Sequence, residues 1–159
     1  MKSILTISTI LLVVSFGLEA QAGKNISFWH IGTQDRSFVI VTINTARGDG
    51  IYLSPEDRKI YAYHKVDETS YEEIKSFIQE RYEITNAKPA NAQCEFGTFE
   101  IIIEEGDEKK YLYLVGRIKS IPFFYKLIDH LSEKEHGEGI ESLIEALDEI
   151  LVRLIYNAW

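Results

Sequence analysis

Beyond residue 22 the apolar positions fall into two rhythms, an alternation of period two that predicts strands and a three-to-four-residue repeat that predicts helices. Residues 26–31 mix β-branched and aromatic side chains. Residues 37–43 are apolar on both alternating faces, which suits a central strand covered on both sides. Gly32-Thr33-Gln34-Asp35 is the expected hairpin loop between them. Gly48-Asp49-Gly50 and Ser54-Pro55-Glu56-Asp57 mark turns around a short strand at 51–53, and residues 59–66 alternate again. The clearest hairpin comes later. Phe99, Ile101 and Ile103 share a face opposite Thr98, Glu100, Ile102 and Glu104, a turn follows at Glu105-Gly106-Asp107, and a second arm is expected over 110–118.

Three helices are expected. Thr69-x-x-Glu72 and Ser70-x-x-Glu73 overlap as capping boxes before Tyr71, Ile74, Phe77, Ile78 and Tyr82, which fall on one helical face. Residues 86–93, with Pro89, read as a crossing loop. Ser120 is the expected cap of the second helix, with Pro122 in its opening turn and Ile121, Phe124, Leu127, Ile128 and Leu131 as its stripe. His136-Gly137-Glu138-Gly139 breaks that helix. Ile140, Leu143, Ile144, Leu147, Ile150, Leu151 and Leu154 define the last one. The order ββββ-α-ββ-αα predicts an α+β domain, an antiparallel sheet of about six strands with three helices packed on it.

The start of the chain changes the picture of where this domain works. Met1-Lys2 is followed by a predominantly apolar run over 4–18 and then by Ala20-Gln21-Ala22, the small-residue pattern that a signal peptidase reads. The run is short for about 30 Å of hydrocarbon. Residues 1–22 are therefore expected to be a cleaved secretory leader, and residues 23–159 a single exported domain with no membrane span after cleavage. Cys94 is the only cysteine, so no intrachain disulfide can form. A bacterial periplasm or exterior fits that usage better than an animal extracellular space. Cys94 itself reads as a small half-buried hydrophobe, with pairing between chains as the alternative.

Charge narrows the partners. Lys and Arg number 17 against 25 Asp and Glu, a net charge of −8. No basic stripe offsets this, so nucleic acid is not an expected partner. Acidic side chains crowd the second hairpin (Glu95, Glu100, Glu104, Glu105, Asp107, Glu108) and the last two helices. Such charge is usually a solvated face; the sharper reading is a docking surface for a basic protein.

Catalytic signatures are missing: there is no Gly-x-Ser-x-Gly, His-Glu-x-x-His, glycine-rich phosphate loop or Cys-x-x-Cys. His130 and His136 sit six residues apart in an acidic stretch, a spacing that does not make metal ligands converge, so neither metal nor cofactor is expected. His30 and His64 each lie on an expected strand, where packing is the commoner role.

One pattern stands out. Tyr61 and Tyr63 share one strand face with Ile60 and Ala62 on the other, and Tyr111 and Tyr113 repeat this against Leu112 and Leu114. If the aliphatic side is the core side, the tyrosines stand on a partly wet face suited to a partner. Aromatic strand residues are common, however, and helices on that face too would make them ordinary sheet packing. The resulting expectation is an exported, non-enzymatic binding protein, an inhibitor or immunity-type protein masking a basic toxin or wall-active enzyme through Tyr61, Tyr63, Tyr111, Tyr113, Glu104, Glu105 and Asp107. The alternatives are an envelope hydrolase using His64 or His30 with an acid, and a small-molecule or lipid carrier with an apolar cavity.

Overall fold

In a computed structural model, residues 23–31, 39–46, 48–53, 55, 60–88, 95–133, 137 and 139–158 are described. The expected leader, the 32–35 loop, Pro89, Cys94 and His136 lie outside the described residues.

Six strands, β1 (Lys24–His30), β2 (Val39–Asn44), β3 (Gly50–Leu53), β4 (Ile60–Lys65), β5 (Phe99–Glu105) and β6 (Glu108–Leu114), form one sheet in the order β3-β4-β2-β1-β5-β6. Helix α1 (Glu68–Arg81) follows β4, and α2 (Gly116–Ser132) and α3 (Ile140–Tyr156) follow β6. The α+β class and the ββββ-α-ββ-αα order are as expected. The sheet is mixed, however, and not wholly antiparallel. Leaving β2, the chain skips one position, runs back as the margin strand β3 and returns in the gap as β4. Consequently β2 and β4 run parallel, in register from Val39↔Ile60 to Asn44↔Lys65. Short loops suggest antiparallel neighbours, and nothing local records a skipped position. The interior place of β2 matches its composition, since Val41, Thr42 and Ile43 are all buried.

The three helices of the described residues pack on one side of the sheet. Ile26, Phe28, Val41, Ile43, Phe99, Ile101, Leu112 and Leu114 project toward them, and Tyr71, Ile74, Leu127, Leu147 and Leu151 close the core. An aromatic knot sits at its centre. Phe124 lies 4.8 Å from Phe99, 5.9 Å from Phe28 and 5.2 Å from Phe123, ring centre to ring centre, and Phe77 and Tyr82 of the α1 end also reach Phe123. Phe123, absent from the expected stripe, is fully buried, so α2 presents a wider apolar face than Ile121, Phe124 and Leu127 suggest.

Two helix starts differ from expectation. Asp67, not Thr69 or Ser70, caps α1, its Oδ1 accepting the Ser70 N–H at 2.7 Å. Strand β6 ends at Leu114, and α2 begins at Gly116, four residues before Ser120. The cap of α2 comes from elsewhere in the chain: the buried Thr98 hydroxyl accepts the Gly116 N–H at 3.0 Å. With the Gly116 N–H satisfied this way, Ser120 donates to the Gly97 carbonyl at 2.5 Å and ties α2 to the 95–98 turn. Pro122 then stands inside the helix and leaves the Ile118 carbonyl without its intrahelical donor, on an exposed turn.

Gly139 holds the entry to α3. Its φ of +91° is left-handed, and a Cβ there would collide with the Lys65 carbonyl oxygen. Thr85 and Tyr111 exchange backbone hydrogen bonds of 2.9 and 2.8 Å, covering the middle of the outer margin of β6.

Candidate functional site: the open face of the sheet

With these three helices on one side, the other side of the sheet is built from the alternate residues of each strand. Strand register arranges them in rows. One row holds Tyr61, Trp29, Glu100 and Tyr113: Trp29 pairs with Glu100 and Glu100 with Tyr113, while the Trp29 and Tyr61 rings meet edge-on at 5.6 Å. The next row runs Tyr63, Thr42, Ser27, Ile102, Tyr111, with the Ser27 and Thr42 hydroxyls 3.3 Å apart. The third is polar: Lys65, Asn44, Asn25, Glu104, Lys109.

Tyr61, Tyr63, Tyr111 and Tyr113 thus all lie on the side away from the helices, each half-buried, with Leu112 and Leu114 on the core side. Among the described residues, no helix covers them. The two tyrosine pairs are four strand positions apart, about 19 Å at 4.8 Å per strand. A partner burying about 800 Å² on each side would span both.

The three acids separate. Glu104 is on the open face, 3.9 Å from Lys109. Asp107 is exposed in the β5–β6 turn. Glu105 projects to the helix side instead, because it is one residue out of step with Glu104. There Oε1 accepts from Lys75 Nζ at 2.6 Å and from the Tyr71 hydroxyl at 3.2 Å. Burial alone would raise the Glu105 carboxyl, but Lys75, Tyr71 and Lys24 outweigh it and hold it below the ordinary range. Burial, reinforced by Glu105, drives the Tyr71 hydroxyl far upward, so it serves as a fixed donor.

Trp29 was not singled out by the sequence, and Glu100 only as one of the acids crowding the second hairpin. Alternation does place Trp29 opposite Phe28 and Glu100 opposite Phe99. What it cannot supply is that β1 and β5 are neighbours, which puts an indole beside a carboxylate in the middle of a tyrosine-flanked row.

The histidines divide by environment. His30 is buried on the core side, its Nε2 accepting the Gly97 N–H at 3.2 Å, and burial pushes its imidazole down to about 4. It acts as a structural acceptor inside the core. His64 lines a cleft of about 470 Å³ between the β3–β4 hairpin and α3, with Asp49, Ser142, Glu145 and Glu149 on its polar rim and Val41, Ala62, Ala146 and Ile150 below. Its Nδ1 is 3.3 Å from the Ser142 hydroxyl, which also lies 3.2 Å from the Gly139 carbonyl it can donate to. Burial lowers the His64 pKa and Asp49 partly offsets this. The Asp49 Oδ1 is engaged by the Lys65 N–H at 2.8 Å, and among the described residues no carboxylate hydrogen-bonds His64.

Among the described residues, no group of three or more His, Cys, Asp or Glu is placed to hold a metal ion, and no helix is long and apolar enough to cross a membrane. Comparison with family models, curated proteins and solved structures found no match.

Proposed function

We propose that the chain is an exported, non-enzymatic binding protein that docks a basic protein on the open face of its sheet, in the manner of an inhibitor or immunity protein masking a toxin or wall-active enzyme. The observation that carries this reading is the two-sidedness of the sheet. Helices bury one side, and Tyr61, Tyr63, Trp29, Tyr111 and Tyr113 gather on the other. Aromatic side chains that are half-wet give contact area while keeping a polar tip for a partner, which is why interfaces favour them. The leader pattern and the net charge of −8 support the address and the sign of the partner.

Tagged protein recovered from its native envelope should carry one stoichiometric protein, released by salt. Tyr63→Ala and Tyr111→Ala should each lose that protein while folding normally, and Tyr125→Ala, an exposed position on α2, should retain it. Clean monomer at low salt, or equal retention by all three variants, would count against the reading.

A second reading, carriage of a small molecule, is favoured by the His64 cleft, whose volume lies in the range of ligand pockets. Native mass spectrometry of freshly isolated protein tests it; a mass equal to that of the bare chain removes it.

A further inference from the structure

Glu100 is the anomaly of the open face. It is 5% exposed, deeper than the tyrosines around it, yet it carries a carboxylate. Among the described residues, its buried Oε1 has no hydrogen-bond partner, and its Oε2 is met at 3.5 Å by Lys88 Nζ. Lys88 belongs to the irregular stretch after α1, and its side chain is largely exposed. A buried carboxylate normally draws several short hydrogen bonds, because each unfilled lone pair has lost its water without replacement. Here one oxygen is empty and the other is loosely held by a solvent-facing cation.

The neighbours define what would complete it. In register, Trp29 stands directly beside Glu100 on β1 and Tyr113 directly beside it on β6, with Cβ separations of about 5 Å expected for such pairs. Two aromatic rings flanking a carboxylate with both oxygens to fill match one group better than any other. A guanidinium donates to both oxygens at once, and its planar face stacks on indole and phenol rings. An ammonium offers a point charge and neither property.

We propose that Glu100 is the specificity-determining residue of the open face, taking the guanidinium of an arginine supplied by the protein partner between Trp29 and Tyr113, with Lys88 displaced. Lys88 is then the stand-in counter-ion of the unbound protein. This inference rests on the reading of the open face as a docking surface, and it adds the chemistry of the group that enters it.

The test is an NMR titration of the purified exported protein with N-acetyl-arginine methylamide, against its neutral isostere N-acetyl-citrulline methylamide. The arginine probe should shift the Trp29 indole and Tyr113 signals saturably in the millimolar range, and the citrulline probe should not. Glu100→Gln, whose fold is checked by its melting curve, should weaken the arginine probe by about tenfold or more, since a charge-assisted bidentate pair is lost. Lys88→Ala, a surface change that leaves the core alone, should tighten it by about threefold, because the internal competitor is gone. Equal response to both probes, an unchanged Glu100→Gln, or a Lys88→Ala no tighter than the parent would overturn the proposal. Partner capture lost in Tyr63→Ala but intact in Glu100→Gln would remove the arginine and leave the docking face standing. An arginine probe bound at Glu100, with capture indifferent to Tyr63 and Tyr111, would remove the docking face alone.

Discussion

The Gly97 N–H donates to His30 Nε2 at 3.2 Å, and this bond, with the Ile31 N–H on the Thr98 carbonyl at 3.0 Å, fastens the 95–98 turn to the end of strand β1. The same turn receives Ser120 on its carbonyl and caps α2 through Thr98, so it joins sheet and helix layers. The bond requires a neutral imidazole, since Nε2 must accept.

Stability should therefore depend on pH through His30. Its folded pKa is depressed to about 4 from 6.5, so between these values the unfolded chain holds more protons than the folded one. The contribution is complete above pH 6.5 and falls away as pH drops toward 4, by a total on the order of 2–3 kcal/mol. Glu105, also depressed, adds its own loss further down, as pH falls below its ordinary 4.5 and through its folded value. Urea midpoints at pH 7 and 4.5 should differ accordingly. In His30→Gln, which keeps an acceptor but cannot titrate, the slope between pH 6.5 and 4.5 should flatten. A slope unchanged in that variant would remove His30 as its source.

Gly139→Ala should destabilise by more than 2 kcal/mol, on the order expected when a left-handed residue gains a Cβ that meets backbone. Gly106→Ala is the control. It too is left-handed, with φ +58°, but has open space around it, and should cost about 1 kcal/mol. Comparable denaturation midpoints for the two variants would show that the Lys65 carbonyl can yield.

Phe124→Ala removes the ring shared by Phe28, Phe99 and Phe123. A loss of about 3–5 kcal/mol is expected from chemical denaturation, the range for a buried phenylalanine. A loss below 1 kcal/mol would mean that the aromatic knot closes over the gap.

His64 should titrate below 6.5 in the folded protein, and Asp49→Asn should lower it further, because Asp49 is the group that partly restores its proton. Imidazole carbon shifts followed by NMR across pH 4–8 report both values. A rise on removing Asp49 would contradict the placement of that carboxylate on the cleft rim.

Local periodicity carried most of the architecture. The α3 repeat from Ile140 to Leu154 is buried, apart from a half-buried Ile144, and the alternation through Phe99, Ile101 and Ile103 separates the two sides of β5 correctly. Features set by remote partners were not legible. Ser120 looks like a cap, but its role was taken by Thr98, a residue whose distance along the chain hides the contact. The four tyrosines could be assigned to one side of their own strands. Their gathering around Trp29 and Glu100 required the order β4-β2-β1-β5-β6, which no single strand records. Glu104 and Glu105, adjacent in an acidic run, part to opposite sides simply because a strand alternates.

The short clasp between Thr85 and Tyr111 has a consequence for how this molecule can be recognised. With the Tyr111 amide and carbonyl spent, an incoming chain cannot pair continuously along the whole of β6, and the opposite border, β3, offers four residues. Any association along these borders would fall chiefly to side chains, where exchanging single residues leaves the scaffold unaltered.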